Sequence, residues 1–238
     1  IGKPAFPAYW TLGFHLSRFG YFNLTNLIST YRRTKESAIP LDTQWTDIDL
    51  FEKNNDFTYD RDRFKGLPDF IRNELHANGQ RFVPMFDCGI SSGESPPESY
   101  APYREGLEMN VFVRASNSSA RPFEGKVWNS KNTVFPDFTH PNATRYWQQQ
   151  FARYHEVIEF DGAWTDMQEP SNFFDGEADG RGCPKDSSLE NPPYTPGMVT
   201  DELTLRHKTI CMSAQQVAGV HYDVHNLYGF SEAIVTYQ

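Results

Sequence analysis

The sequence lacks the marks of several large function classes. It holds three cysteines in 238 residues, too few for a disulfide-built scaffold. It lacks a basic surplus: 22 Lys and Arg stand against 31 Asp and Glu, a formal net charge of -9. A nucleic-acid backbone is therefore an unfavourable partner. No apolar run reaches membrane-spanning length, and no signal peptide or targeting segment stands out. There is no phosphate loop, dinucleotide fingerprint, G-x-S-x-G elbow or paired C-x-x-C, so phosphoryl transfer, hydride transfer and serine hydrolysis have no support. The chain opens on Ile1 rather than Met, and is expected to be an excised or processed piece.

What is present is a chain long enough for one or two domains with a sizeable core, and rich in aromatic rings. Three glycosylation sequons occur, Asn23-Leu-Thr25, Asn117-Ser-Ser119 and Asn142-Ala-Thr144. One disulfide can be drawn between Cys183 and Cys211, leaving Cys88 free. Sequons and a bridge together lean toward a secretory or lumenal protein.

Hydrophobic periodicity predicts alternating strands and helices. Strands are expected over Ala8–Phe14, Leu41–Ile48, Arg81–Asp87, Phe160–Asp166 and Tyr222–Leu227, with Pro84 an objection to a central strand. Helices are expected over Leu24–Lys35, Phe64–Ala77, Thr144–Phe160 and Leu203–Val220. Two long irregular stretches, 88–142 and 170–196, interrupt them. The order implies an α/β fold with a parallel sheet, either a (β/α)8 barrel or a doubly wound sheet. Asp47, Asp87 and Asp166 close strands, where a barrel carries its active-site face.

The run FDGAWTDMQEPSNFFDG over 160–176 places Asp166 and Glu169 inside an apolar, aromatic segment. Burying a carboxylate is costly unless it is paired or hydrogen-bonded. A retaining glycosidase needs such a group as a rigid, ionised nucleophile; the ordinary reading of the spacing is a turn cap at Asp166 and an arginine pair at Glu169. Asp47-Ile48-Asp49 can hold a metal, though alternation along a strand would aim only one carboxylate at a site. His221 and His225 have the spacing of a helical metal pair, but straddling a helix end and a strand would separate their imidazoles. Asp175–Gly180 is a faint match to a calcium loop, with Glu177 and Asp186 off pattern.

DGAWTDMQEPSNF resembles the nucleophile signature of glycoside hydrolase family 31, D-G-x-W-x-D-M-N-E. AYWTLGFHLSRFGY, PLDTQWTDIDLFEKNNDFTYD and VWNSKNTVFPDFTHP are similar to its first barrel strands and the segment before its long helix. GCPKDSSLENPPYTPG and VHNLYGFSEA resemble the branch of lysosomal acid α-glucosidase, maltase-glucoamylase and sucrase-isomaltase. The likeness spans nearly the whole chain. It implies an α/β fold that is a partial (β/α)8 TIM barrel, roughly its first five βα units, with residues 1–238 forming the N-terminal part of the catalytic barrel and insertions at about 88–142 and 170–196.

The resemblance also implies retaining α-glucosidase chemistry without a cofactor or metal. Asp166 would be the nucleophile and Glu169 would support its strand end through hydrogen bonds. Asp47 would bind a sugar hydroxyl beside Ile48. Trp164, Met167, Met85 and Trp128 would line the glucose pocket, with Phe19 at an aromatic position. The Cys183–Cys211 spacing resembles a bridge of this branch. The implied partners are maltose and malto-oligosaccharides, and the rest of a longer chain of the secretory pathway, lysosomal, secreted or membrane-associated outside the cell. The departures are Gln168 for Asn, Asp87-Cys88-Gly89-Ile90 for D-P-A-I, Asn129-Ser-Lys131 for a Pro-Gly turn, and Phe19 for Trp or Tyr. The family's acid/base aspartate lies beyond this stretch, so the isolated chain is expected to be inactive and poorly stable. The alternatives are a non-catalytic binding relative and an α-xylosidase or α-glucosyltransferase of the same family.

Overall fold

The computed structural model describes residues 2–94, 99–116, 119–195 and 205–238. They fall into two compact units, Ile1–Phe86 with Ala152–Thr165, and Asp87–Phe151 with Asp166–Gln238.

The first unit is built on a parallel three-stranded sheet of β1 (His15–Leu16), β2 (Thr43–Trp45) and β3 (Arg81–Val83), with His15 opposite Thr43 and Thr43 opposite Arg81. The strand expected over Ala8–Phe14 is not there. Tyr9–Leu12 form a 3-10 turn with no buried residue, and only His15 and Leu16 beyond it find a sheet neighbour. Between β1 and β2 runs α1 (Leu24–Glu36), close to the expected bounds. Asn23 caps it by accepting from Asn26 N at 2.9 Å, and Leu27 and Tyr31 form its buried face.

The stripe over 64–77 is helical but starts later and is irregular. The segment passes from α2 (Leu67–Phe70) through a π turn over Ile71–Leu75 to a 3-10 turn over His76–Asn78. Leu67, Phe70, Ile71 and Leu75 are the buried stripe, and Gly79 ends it at φ +71°, a left-handed C-cap that suits glycine. Pro84 splits the expected third strand into β3 and β4 (Met85–Asp87), because proline cannot donate to a ladder.

Within 88–142 lie β5 (Ile90–Ser91), α3 (Ala101–Glu108) and β6 (Thr133–Val134), with β5 and β6 antiparallel. Then α4 spans Ala143–His155, ending short of the expected Phe160. Next comes β7 (Trp164–Asp166), which pairs with β4. Its approach is fixed by Asp161, whose carboxylate takes His76 at 2.8 Å, Arg81 at 3.1 Å and Phe82 N at 2.9 Å. The first glycine-linked acid of the motif thus anchors the sheet.

The second unit packs Phe138 edge-on to Trp147 and Tyr228, with centroids 5.1 and 5.3 Å apart. Two expectations fail in it. The described part of 203–220 is turns and isolated bridges, not helix; Leu203 and Thr204 lie outside the described residues. Tyr222–Leu227 is not a strand. It is α5 (His221–Val224) and a 3-10 turn over His225–Leu227, leading into α6 (Tyr228–Tyr237). The buried positions His221, Val224, Tyr228, Glu232 and Val235 repeat every three or four residues, the period of one helical face.

Candidate active site

The family-implied residues divide between the two units. In the first, Ile48 and Met85 join Phe51 in a buried cluster against which Trp164 packs. Trp164 also meets Trp45 at 5.7 Å, and Trp45 donates its indole N–H to His15 Nδ1 at 2.9 Å. Ile48 and Met85 are 8% and 3% exposed, so they back a wall more than they offer surface. Phe19 is 56% exposed and lies edge-on to Phe22.

Asp47 and Asp49 do not sit on one strand. β2 stops at Trp45, and Ile48–Leu50 form a 3-10 turn. Asp47 caps that turn, accepting from Ile48 N at 2.6 Å, and stays half-buried. Asp49 is buried and accepts from Phe22 N at 2.7 Å, where Phe22 has a φ of +60°. One acid is therefore held at the surface of the turn and the other is committed to pinning a loop.

In the second unit, Asp166 ends β7 half-buried. Met167 follows at φ +64°, so the chain turns sharply at once. Ser171 N donates to Met167 O at 2.8 Å, closing the turn, and Cys88 Sγ donates to the same carbonyl at 3.1 Å. Glu169 is exposed, and its charge faces Cys88 and His225. The hydrogen bonds expected to tie Glu169 to the strand end are absent among the described residues. Gln168 rests on Gly229: a Cβ at that glycine would come within 2.9 Å of Gln168 Cγ. Trp128 is 46% exposed and braced edge-on by Phe173 at 4.7 Å.

Sequence reasoning missed two supporting groups here and misread a third. Asn172 is fully buried; it accepts from Lys126 N at 2.8 Å and donates to Gly176 O at 2.6 Å and Thr209 O at 3.2 Å. An amide inside the aromatic run S-N-F-F was the available signal. Glu232 is fully buried, and neither carboxylate oxygen has a hydrogen-bond partner among the described residues. Burial, then the charges of Asp87 and Asp166, push it up to about 8, so it is a neutral acid near neutral pH. The third group is the histidine pair. His221 and His225 are not separated: helix brings their nitrogens to 2.8 Å and their rings to 4.8 Å.

The remaining candidates are mostly committed to structure. In the Asp175–Gly180 stretch, Asp175 accepts from Lys208 N at 2.9 Å, Glu177 takes Arg121 at 3.0 Å and Asp179 accepts from Asn132 at 2.9 Å. Cys183 and Cys211 form a disulfide with Cα atoms 5.6 Å apart, and Cys88 is free and buried. Asn23 and Asn142 are exposed, as a glycan acceptor must be; Asn117 lies outside the described residues.

Comparison with known proteins gives the wider setting. Residues 4–238 match the model of the glycosyl hydrolases family 31 TIM-barrel domain. The chain is 44% identical over 238 residues to lysosomal alpha-glucosidase of Bos taurus, covering all of this chain and 24% of that protein. It is 45% identical over 237 residues to intestinal sucrase-isomaltase of Oryctolagus cuniculus, covering 99% of this chain and 12% of that protein. The crystal structure of the glucosidase II alpha subunit in its DNJ-bound form superposes with a TM-score of 0.74 at 23% identity, over 96% of this chain and 21% of that one. That likeness supports an α/β barrel-type fold. The chain thus spans a quarter or less of these relatives.

Proposed function

Because the chain belongs to glycosyl hydrolase family 31, matching its TIM-barrel domain, we propose that it is part of a retaining α-glucosidase that removes terminal α-linked glucose from maltose and malto-oligosaccharides. Residues 1–238 form the N-terminal part of its catalytic barrel, with insertions at about 88–142 and 170–196. The observation that carries this is Asp166: it closes the D-G-A-W-T-D-M run, ends a strand half-exposed, and is followed by a left-handed turn.

In this mechanism Asp166 attacks the anomeric carbon as the bond to the leaving oxygen breaks. That oxygen takes the electron pair and a proton from an acid outside these residues. Water then gives a proton back to that same group and attacks the same carbon, the bond to Asp166 breaks with its electron pair returning to the carboxylate, and glucose leaves with retained configuration. Glu232 does not serve as the acid, because a fully buried carboxyl cannot reach a glycosidic oxygen. Asp47, in the first unit, binds a sugar hydroxyl with Trp164, Met85, Ile48 and Phe19 as that unit's apolar lining, and Met167 and Trp128 are the lining residues of the second. Glu169 supports the Asp166 turn by charge. Without the acid the isolated chain is inactive; the rest of its parent chain is its necessary partner.

The relatives named as lysosomal and intestinal, the disulfide and the exposed sequon asparagines support a secretory-pathway location, lysosomal, secreted or membrane-associated outside the cell. Among the described residues no helix is long and apolar enough to cross a membrane.

The test is to incubate the full-length parent with an activated 5-fluoro glucosyl trap and map the label by peptide mass. Label on Asp166 is expected. A folded protein that takes no label would be a non-catalytic binding relative, and label on another carboxylate would displace Asp166.

A further inference from the structure

The first unit closes a ring of contacts that begins and ends on the segment leading to Asp166. Trp10 rests against Gly162, where an added Cβ would lie 3.3 Å from the indole Cη2. Trp10 stacks on His15, with centroids 5.9 Å apart at 29°. His15 meets Trp45 at 5.8 Å and 64°, and Trp45 meets Trp164 at 5.7 Å and 57°. His15 and Trp45 stand on the paired strands β1 and β2. Trp164 begins β7, just after Gly162.

One directional bond runs through this ring. Trp45 donates its indole N–H to His15 Nδ1 at 2.9 Å. An indole nitrogen is a donor only, so Nδ1 accepts and the imidazole proton sits on Nε2. His15 Nε2 is buried and has no partner among the described residues. A buried donor without a partner is destabilising, and two apolar rings would fill the same space without it. What the indole–imidazole pair adds is direction. The χ2 torsion of an aromatic side chain has broad, roughly two-fold wells, and the hydrogen bond selects the one in which Trp45 packs on Trp164. Trp164 also packs on Ile48, Phe51 and Met85, contacts that fill space without fixing an angle.

We infer that His15 is a positioning residue for the proposed glycosidase reaction: by fixing the Trp45 indole, it sets the angle at which the Trp164 ring meets the sugar. This rests on the function proposed above, in which Trp164 lines the glucose pocket. His15 acts through two rings and touches no substrate. A wall that contacts glucose equally in the ground state and the transition state acts on KM rather than kcat.

The experiment uses the full-length parent carrying His15→Phe, His15→Asn, Trp45→Phe or Trp164→Leu. Both kcat and KM are measured on maltose, and the indole N–H resonances are followed by NMR after 15N-tryptophan labelling. His15→Phe is expected to raise KM by roughly 2–10-fold, the weight of one hydrogen bond, with kcat little changed. The Trp45 indole N–H resonance should move upfield as its acceptor is lost. His15→Asn keeps an acceptor oxygen near the Nδ1 position and should recover most of both effects. Trp45→Phe removes the donor but keeps a ring; it should match His15→Phe, and combining the two should add little. In a Trp164→Leu background His15→Phe should have no further effect on KM, because its route to the sugar is gone. A folded His15→Phe enzyme with wild-type KM would overturn the proposal. So would an undiminished effect in the Trp164→Leu background, since His15 would then act elsewhere. Should His15→Phe not fold, Trp45→Phe with and without Trp164→Leu reads the same coupling. The 5-fluoro trap on the wild type separates the two claims. Label on Asp166 with wild-type KM in His15→Phe sinks only the positioning role, whereas a folded protein that takes no label removes the retaining reading.

Discussion

Cys88 donates its thiol hydrogen to the carbonyl of Met167 at 3.1 Å, on the residue that follows the proposed nucleophile. Met167 holds a φ of +64°, a conformation that is strained for a side chain with a Cβ and persists only when surrounding contacts fix it. Burial raises the Cys88 thiol well above its usual range, with the charges of Glu232 and Asp87 adding to this. Cys88 is therefore an inert donor rather than a reactive thiol. Cys88→Ala should destabilise the full-length protein by about 1 kcal/mol, the size of one lost hydrogen bond, and lower kcat more than it raises KM. Cys88→Ser keeps a donor and should lose less. Thermal melts with parallel kinetics check this.

Gly229 should tolerate no side chain. An added Cβ would lie 2.9 Å from Gln168 Cγ and 3.2 Å from the Gln168 carbonyl, and neither atom is the free end of a flexible chain. Gly229→Ala should push Gln168 and the Asp166 turn aside, costing about 1–3 kcal/mol of stability and lowering kcat. A Gly229→Ala protein with wild-type melting and kinetics would remove this contact from the account.

Two buried groups give the stability an opposed pH dependence. His221, with an ordinary value of 6.5, is held at about 3 in the fold. The unfolded chain binds its proton first, so its stabilising contribution is present above pH 6.5 and declines as pH falls toward 3. Glu232, ordinarily 4.5, is raised to about 8. Its contribution is present below pH 4.5 and declines as pH rises toward 8. Each slope is roughly 1.4 kcal/mol per pH unit, and they cancel between 4.5 and 6.5. Denaturant melts should show a plateau there, falling on both sides. Glu232→Gln should flatten the alkaline fall, abolish the plateau and let the acid fall begin near pH 6.5.

Replacing Asp166 should separate chemistry from folding. Asp166→Ala in the full-length protein should lower kcat on the order of 10⁴–10⁶-fold, as the loss of a principal member of a covalent catalytic group does. Melting should shift little, because the side chain is half-exposed. Added azide should restore turnover by entering the vacated space and forming a β-glucosyl azide. Product anomers, resolved by NMR, provide the check.

Opening the Cys183–Cys211 bridge should destabilise the second unit. Its sequence separation of 28 residues corresponds to about 3–4 kcal/mol of chain entropy removed from the unfolded state. A Cys183→Ser, Cys211→Ser double variant should melt lower by that measure, with little change in KM.

Local residue order is enough to read the family, because D-G-A-W-T-D-M needs no folding to be seen; Asp166 as its nucleophile is the proposal that follows from that order. It determined α1 nearly to the residue, since Asn23, Leu27 and Tyr31 carry the cap and the stripe within one segment. It also marked Pro84 as a break in the third strand. Other features came only from contacts between distant segments. Ala8–Phe14 carries strand-like residues, yet Tyr9–Leu12 bury nothing, and a strand without a sheet neighbour does not form. Tyr222–Leu227 alternates like a strand over six residues. Its true period emerges only when His221, Val224, Tyr228, Glu232 and Val235 are seen to share one buried face. That same helix brings His221 against His225 and buries Glu232 near Asp87 and Asp166. The charge state of a carboxyl or an imidazole depends on its solvent and neighbours, and only the tertiary structure supplies those.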